Sequence, residues 1–333
     1  MSFVWTIAEQ SEGELKGVSF ELLSRGRALA DKLETKLASV VIGDGVSEES
    51  MQELIYRGAD EVYSMQDPRL AQFVVESYSN VLAHSIKTYS PEIILAAATS
   101  SGRTLMPYLA IKVDTGLTAD CTELDIDERT GCLLQTRPAI GGNIMATIKT
   151  PDHRPQMSTV RPKSSRPLGR DEQRSGKIIS VPIADDMIDT RVTVKGYRAD
   201  AEDFANIEEA DVIVAGGKGM KKAENFAHLE KLAGHFGGMV GATRDAVDRG
   251  WIGYSHQIGL SGKTISPRLY IGAGISGSIQ HLAGIKTSET IVSINSDPDA
   301  SLHKVADFGI VGDLFEVLPE IERRMATIKK ETH

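Results

Sequence analysis

Short apolar runs of strand length alternate along the chain with longer stretches of helical apolar spacing. Residues 3–8 form one such run, and residues 18–37 follow with Leu22, Leu23, Leu29 and Leu33 at the repeat of a helix buried on one side. The pattern then predicts a strand over 38–42 ending at Gly43, a helix over 51–56 with Gly58 just past its end and a strand over 61–63. A long helix over 70–89 and an apolar strand over 93–98 come next. The turn Thr99-Ser100-Ser101-Gly102 leads into a helix over 104–112, where an open α/β sheet either binds a ligand or simply caps its helix. Strands that are apolar throughout and separated by helices imply a parallel sheet covered on both faces.

From residue 120 to 194 the texture changes. Helical spacing gives way to strand-like segments at 132–137, 143–149, 157–161 and 178–181, broken by Pro151, Pro155, Pro162 and Pro167. Residues 163–175 are polar and basic, which reads as a solvated loop or a partner-binding arm. An extended linker over 181–197 is expected to divide the chain into domains 1–190 and 191–333. Beyond it the α/β rhythm restarts. A strand over 210–215 runs into Gly216-Gly217-Lys218-Gly219, then a helix over 222–236, then a strand over 239–242 ending at Thr243-Arg244. A strand over 269–272 meets the glycine-rich stretch 273–277 and a helix over 278–283. Strands over 290–294 and 308–312 end at Asn295 and Asp313, and a helix over 314–325 closes the chain. The predicted fold class is α/β: an N-terminal α/β domain with a parallel sheet plus a β-rich extension, and a C-terminal doubly wound α/β domain that binds a nucleotide cofactor.

Composition narrows the function classes. With 333 residues, 41% hydrophobic and 25% charged, the chain is long enough for two ordinary globular domains that need no disulfide or metal to fold. A net charge of −9 argues against nucleic acid as a partner. Cys121 and Cys132 are the only cysteines and form no CxxC pair, so a cysteine-ligated zinc or iron–sulfur site within the chain is excluded. No apolar run approaches the roughly 20 residues of a membrane span, and the first residues lack a basic flank and a long apolar core. A cytoplasmic protein without membrane insertion is the expectation.

The candidate chemistry lies at the strand ends of the second half. In a parallel sheet these ends fall on one edge, so Gly216 to Gly219, Thr243-Arg244, Gly274 to Ser278, Asn295 and Asp313 are expected to converge. Glycines there admit the close approach of phosphates, and helix N-termini offer free N–H groups to an anion. Gly272-x-Gly274-x-x-Gly277 matches the nicotinamide dinucleotide fingerprint in letters, but on a late strand, whereas the first turn lacks the third glycine. FAD is the leading cofactor. An NAD-dependent oxidoreductase and a nucleotide-sensing module without redox chemistry stand as alternatives.

Several segments together resemble the electron transfer flavoprotein alpha subunit. They are Ala215-Gly216-Gly217-Lys218-Gly219, Val240-Gly241-Ala242-Thr243-Arg244, Gln257-Ile258-Gly259-Leu260-Ser261-Gly262-Lys263-Thr264, the run from Tyr270 through Gly274-Ile275-Ser276-Gly277 to His281 and Gly284, and Ala306 to Leu314. In the first half, Gly102-Arg103, Thr115 to Cys121 and Arg137 to Asn143 resemble the same family, so the likeness covers nearly the whole chain. It implies an FAD domain at the C-terminal end and a heterodimer with a beta subunit that holds AMP or, in electron-bifurcating members driven by NADH, a second FAD. It also implies transfer of electrons between dehydrogenases, such as acyl-CoA dehydrogenases, and a quinone oxidoreductase or similar acceptor, with no substrate chemistry of the chain's own.

The same resemblance assigns roles by position. Arg244 is the flavin-facing cation, and His281 lies near the pyrimidine edge of the ring as a donor. Ser261 stands where a threonine hydroxyl reaches flavin N5. Gln257, Ile258 and Gly259 contact the ring and ribityl chain. Gly274, Ser276, Gly277, Ser278 and Gln280 line the ribityl and phosphate path, Thr243 sits beside Arg244, and Asn295 and Asp313 reach the adenosine end. Two positions depart from the family pattern. Lys218 replaces an arginine, keeping the charge and losing the bidentate fork. Leu260 replaces a glutamine.

Overall fold

A computed structural model describes residues 3–139, 144–196 and 207–331, with side chains of the closing helix described as far as Met325. The chain forms two compact units, Met1–Gly196 and Tyr197–His333.

In the first unit, β1 (Phe3–Ala8) is followed by a small hairpin of β2 (Gln10–Ser11) and β3 (Glu14–Leu15), then α1 (Gly17–Lys32), β4 (Lys36–Gly43), α2 (Glu48–Tyr56) and β5 (Glu61–Gln66). Next come α3 (Val75–Tyr89), β6 (Ile93–Ala97), α4 (Ser100–Lys112), β7 (Leu117–Cys121), β8 (Glu123–Ile126), β9 (Leu133–Ala139), β10 (Ile144–Ile148), β11 (Gln156–Val160) and β12 (Lys177–Ser180). Seven strands form one parallel sheet in the order β12-β5-β4-β1-β6-β11-β7. The strand period of two divides β1 between the two cores. Trp5 and Ile7 pack with α3 and α4 residues such as Leu82 and Leu109, while Val4 and Ala8 pack with Leu22, Leu23 and Leu29 of α1.

Two expected helix starts are corrected here. The helix expected over 70–89 begins only at Val75. Pro68–Leu70 makes a single 3-10 turn capped by Asp67, whose Oδ1 accepts from Arg69 N at 2.9 Å, and that turn buries Leu70 on its own. The stretch expected to be β-rich is so: β11 inserts between β6 and β7 of the parallel sheet, and β12 adds to its far edge beside β5. Only β8, β9 and β10 form a separate antiparallel sheet. The polar letters of β11 hid its burial, since every residue of it is buried. Three of its side-chain oxygens find partners inside: Ser158 Oγ donates to Gln135 Oε1 at 2.8 Å, Thr159 Oγ1 accepts from Asp120 N at 2.9 Å, and Gln156 Oε1 accepts from Leu133 N at 2.8 Å. The basic stretch 163–175 is tied down by ion pairs, Arg170 to Glu53 at 2.7 Å and Arg174 to Asp60 at 3.3 Å, which consume its charge locally. The second is the helix expected over 222–236, which starts at Phe226, after a 3-10 turn over Ala223–Asn225.

The second unit contains β13 (Val212–Gly216), α5 (Phe226–His235), β14 (Met239–Ala242), α6 (Arg244–Asp248), β15 (Leu269–Ala273), α7 (Ile279–Ile285), β16 (Thr290–Asn295), β17 (Phe308–Val311) and α8 (Leu314–Glu331). Its five strands are all parallel in the order β14-β13-β15-β16-β17. The chain moves outward in one direction from β13 to β14 and returns in the other through β15. The reversal makes a topological switch point between β13 and β15. Val214, Ile271 and Leu229 pack on one face of this sheet, and Ile213, Ala215 and Tyr270 on the other, so it is doubly wound.

Candidate functional site

The two strands flanking the switch point end in turns that touch each other. Gly217 N donates to Ala273 O at 3.1 Å and Gly219 N to Gly274 O at 3.0 Å. Gly274 has φ +63°, and a Cβ on it would stand 2.7 Å from Gly219 Cα. These glycines are therefore required by the close approach of the two turns to each other. The same glycines leave backbone rather than side chains at the surface of the turns.

The contact continues along the sheet edge as a chain of hydrogen bonds. Gly274 N donates to Ile294 O at 2.9 Å, Asn295 Nδ2 to Ile275 O at 2.9 Å, and Gly312 N to Asn295 O at 3.1 Å. In the other direction Thr243 N donates to Gly216 O at 3.0 Å, and Ile258 N to Ala242 O at 2.9 Å. Leu260 N reaches Gln280 O at 3.0 Å, which joins the loop over 257–263 to α7. All five strand ends thus belong to one continuous rim.

The rim residues divide by exposure. Lys218, Arg244, Leu260, Ser261, Ser276, Ser278, Gln280 and Asp313 face outward, Thr243, Gly274 and Asn295 are half-buried, and Gln257, Ile258, Gly259, Gly277 and His281 are buried. Gln257 folds back on its own loop, donating from Nε2 to Ser261 O at 2.8 Å and to Ser261 Oγ at 3.1 Å. Ser278 caps α7 by accepting from His281 N. Asp313 Oδ1 accepts from Phe315 N at 2.9 Å at the start of α8. Arg244 opens α6 and pairs with Asp248, Nε to Oδ2, at 3.2 Å.

His281 lies in the interior behind the rim. Its ring is 4% exposed, with Nε2 2.7 Å from the Tyr270 hydroxyl and Nδ1 3.2 Å from Ile258 O. Both nitrogens have partners inside the unit. Burial lowers its pKa to about 4, against a smaller opposing effect of the Ile258 carbonyl, so the ring is neutral near pH 7. Burial also pushes the Tyr270 hydroxyl well above the usual phenol range.

Three contributors went unnoticed in the sequence. Tyr270 sits in an apolar strand and reads as core. Tyr254 donates its hydroxyl to Ser261 O at 2.8 Å, and its place in an irregular loop gave no signal. Ile279 is 80% exposed at the start of α7 and joins exposed Leu260 and Tyr254 as an apolar margin to the rim.

The rim suits FAD in two respects. Thr243 Oγ1 is buried and finds no partner among the described residues, a group a bound ligand would satisfy. Lys218 is an exposed cation suited to a pyrophosphate, and the exposed Arg244 and the apolar margin suit a flat ring that gains negative charge.

The first unit has its own switch point, between β1 and β6, and an open cavity there is lined by Ala8, Glu9, Gln10, Lys16 and Ser101. Thr99 caps α4, accepting from Gly102 N at 3.1 Å, and donates to the Glu9 carboxylate. A carboxylate thus lies beside that helix N-terminus, where it would repel a phosphate, and the 99–102 turn acts as a cap. Among the described residues no cluster of His, Cys, Asp or Glu could hold a metal ion, and no helix is long and apolar enough to cross a membrane. Cys121 and Cys132 are buried and free, and burial pushes the Cys121 thiol up to about 11. Of the segment 137–143, residues Ile140 to Asn143 lie outside the described residues.

Residues 4–186 match the family model for the electron transfer flavoprotein domain, and residues 206–286 that for the electron transfer flavoprotein FAD-binding domain. An electron transfer flavoprotein subunit alpha from Thermoanaerobacterium thermosaccharolyticum is 48% identical over 326 residues, covering 98% of each chain. A Protein FixB from Clostridium saccharobutylicum is 45% identical over 96% of this chain and 94% of its own. An electron transfer flavoprotein subunit alpha from Clostridium acetobutylicum is 45% identical over 96% of this chain and 95% of its own. The second unit is accordingly an FAD-binding domain, and the chain belongs to the electron transfer flavoprotein alpha-subunit family.

Proposed function

We propose that this chain is the FAD-carrying subunit of a heterodimer with a beta subunit, and that it passes electrons from dehydrogenases, acyl-CoA dehydrogenases among them, to an acceptor such as a quinone oxidoreductase. The observation that carries the reading is the unbroken hydrogen-bonded rim from Thr243 to Gly312 across the switch point. Bound FAD supplies one- and two-electron chemistry. The chain's residues bind, orient and shield it: Lys218, Ser276 and Ser278 would hold the phosphates and ribityl chain, and Asn295 and Asp313 the adenosine end. Leu260, Ile279 and Tyr254 would exclude water from the ring, and Arg244 would place a cation beside it. Each charged or hydroxyl group among these is exposed or half-buried on the rim, which supports the assignment.

A partner is supported by the antiparallel sheet of the first unit. Its edge strand β10 leaves Ile144, Met145 and Ile148 exposed at 52%, 51% and 38%, an apolar edge of the kind that proteins cover. Purification together with the beta subunit, followed by nucleotide extraction, tests the reading. One FAD per heterodimer supports the simple carrier, and two FAD support the NADH-driven bifurcating form. Only NAD, or no nucleotide, would refute both.

A further inference from the structure

Three hydrogen bonds hold the peptide between Ser261 and Gly262, at the tip of the loop over 257–263. Gly262 N donates to Gly259 O at 3.0 Å. Ser261 O accepts from Gln257 Nε2 at 2.8 Å and from the Tyr254 hydroxyl at 2.8 Å. Both lone pairs of that carbonyl are thus engaged. The bonds with Gln257 and Gly259 join the loop to itself. Of the three partners, only Tyr254 lies outside the loop. It opens the 3-10 turn Tyr254–His256, and that turn is fastened to the sheet, because His256 Nδ1 lies 2.7 Å from the Val240 carbonyl of β14.

The same contacts decide what the Ser261 hydroxyl can do. A carbonyl oxygen only accepts, so the amide nitrogen of Gln257 rather than its oxygen faces Ser261 O. That nitrogen also lies 3.1 Å from Ser261 Oγ and donates its second hydrogen there. Oγ is therefore an acceptor toward Gln257, and its own hydrogen is left to donate away from the loop, on the exposed side of the rim. We infer that Tyr254 is a positioning residue of the cofactor site: its hydroxyl pins the Ser261 carbonyl to the sheet, so that the Ser261 hydroxyl is presented outward as a donor to the flavin ring. The inference rests on the reading that FAD occupies this rim. The Tyr254 hydroxyl acts through Ser261 and gives nothing to the cofactor itself. Tyr254 is 65% exposed, so water takes over the carbonyl lone pair when the hydroxyl is removed. Little stability is lost, and the two bonds within the loop keep its shape. A water ties the tip to nothing, however, and the Ser261 hydroxyl loses its fixed direction.

The test compares wild type, Tyr254→Phe, Ser261→Ala and the double variant, each assembled with the beta subunit. Tyr254→Phe keeps the ring and removes the tie, and its thermal midpoint should equal that of wild type. In FAD-free protein its Gly262 amide should exchange with deuterium about threefold to tenfold faster, the loss of one hydrogen bond on that peptide. A donor beside the ring favours the form that has gained negative charge, so the first-electron potential at full FAD saturation should fall in Tyr254→Phe and fall further in Ser261→Ala. Adding Tyr254→Phe to Ser261→Ala should move the potential no further, because the hydroxyl that Tyr254 directs is gone. An unchanged potential in Tyr254→Phe with FAD bound would overturn the inference, as would the same shift from Tyr254→Phe with and without the Ser261 hydroxyl. If the wild-type assembly takes up no FAD, the functional reading fails, and Gly262 exchange in the same proteins decides the tie: faster exchange in Tyr254→Phe supports it and equal rates overturn it.

Discussion

Removing the charge of Arg244 is expected to lower the first-electron potential of the bound flavin. A guanidinium is a permanent cation. Placed about 4 Å from a ring that gains negative charge, it would contribute on the order of 4 kcal/mol at an effective dielectric of about 20. Two features of the structure reduce this. The Arg244 side chain is 69% exposed, so water screens it, and Asp248 sits 3.2 Å from its Nε and opposes its field. A quarter of the unscreened value, roughly 1 kcal/mol, is the reasonable expectation, which is about 40 mV for one electron. Arg244→Ala should therefore lower the potential by about that amount, and Arg244→Lys by less, because the point charge remains. Asp248→Asn should shift it the opposite way, because the counter-charge is gone while the arginine stays. Redox titration of each variant at full FAD saturation measures the shift. An unchanged first-electron potential in Arg244→Ala, with FAD still bound, would refute the reasoning and leave Arg244 as a helix-surface arginine paired with Asp248.

Other expectations concern stability and assembly. His281 has a folded pKa of about 4 against an ordinary 6.5, so the unfolded chain binds the proton that the folded chain refuses. Its contribution to stability is intact above pH 6.5 and is lost as pH falls toward 4, and urea unfolding should show wild type losing about 2 kcal/mol more than His281→Asn between pH 7 and pH 5. Gly274→Ala places a Cβ 2.7 Å from Gly219 Cα at φ +63°, and should lower the unfolding free energy by more than about 2 kcal/mol in the same assay and abolish FAD retention. Met145→Asp on exposed β10 should change the chain's own stability by no more than about 0.5 kcal/mol while reducing copurification of the beta subunit at least tenfold.

The α/β rhythm was legible because parallel strands buried on both faces, such as 93–97 and 290–294, leave nearly continuous apolar runs. The convergence of strand ends was legible for the same reason, since direction alone puts Gly216, Ala242, Ala273, Asn295 and Val311 on one edge. What failed was whatever depended on tertiary partners. β11 carries Gln156, Ser158 and Thr159, and only the hydrogen bonds from neighbouring strands make its burial possible. The contact between the turns at Gly219 and Gly274 was not legible, because a turn's need for close approach looks the same in sequence whether the approaching group is a phosphate or another turn. Nothing in the letters shows that Tyr270, eleven positions earlier on β15, meets His281 Nε2.

Amide hydrogen exchange on the assembled protein, compared with and without its FAD, tests most directly where the cofactor lies. The account predicts that FAD slows exchange in the second unit along the rim, at 217–221, 243–263, 274–281, 295–297 and 312–315, and leaves the first unit's cavity around Glu9 and Ser101 unchanged. Protection centred on that cavity, or none along the rim in a protein that carries FAD, would contradict it.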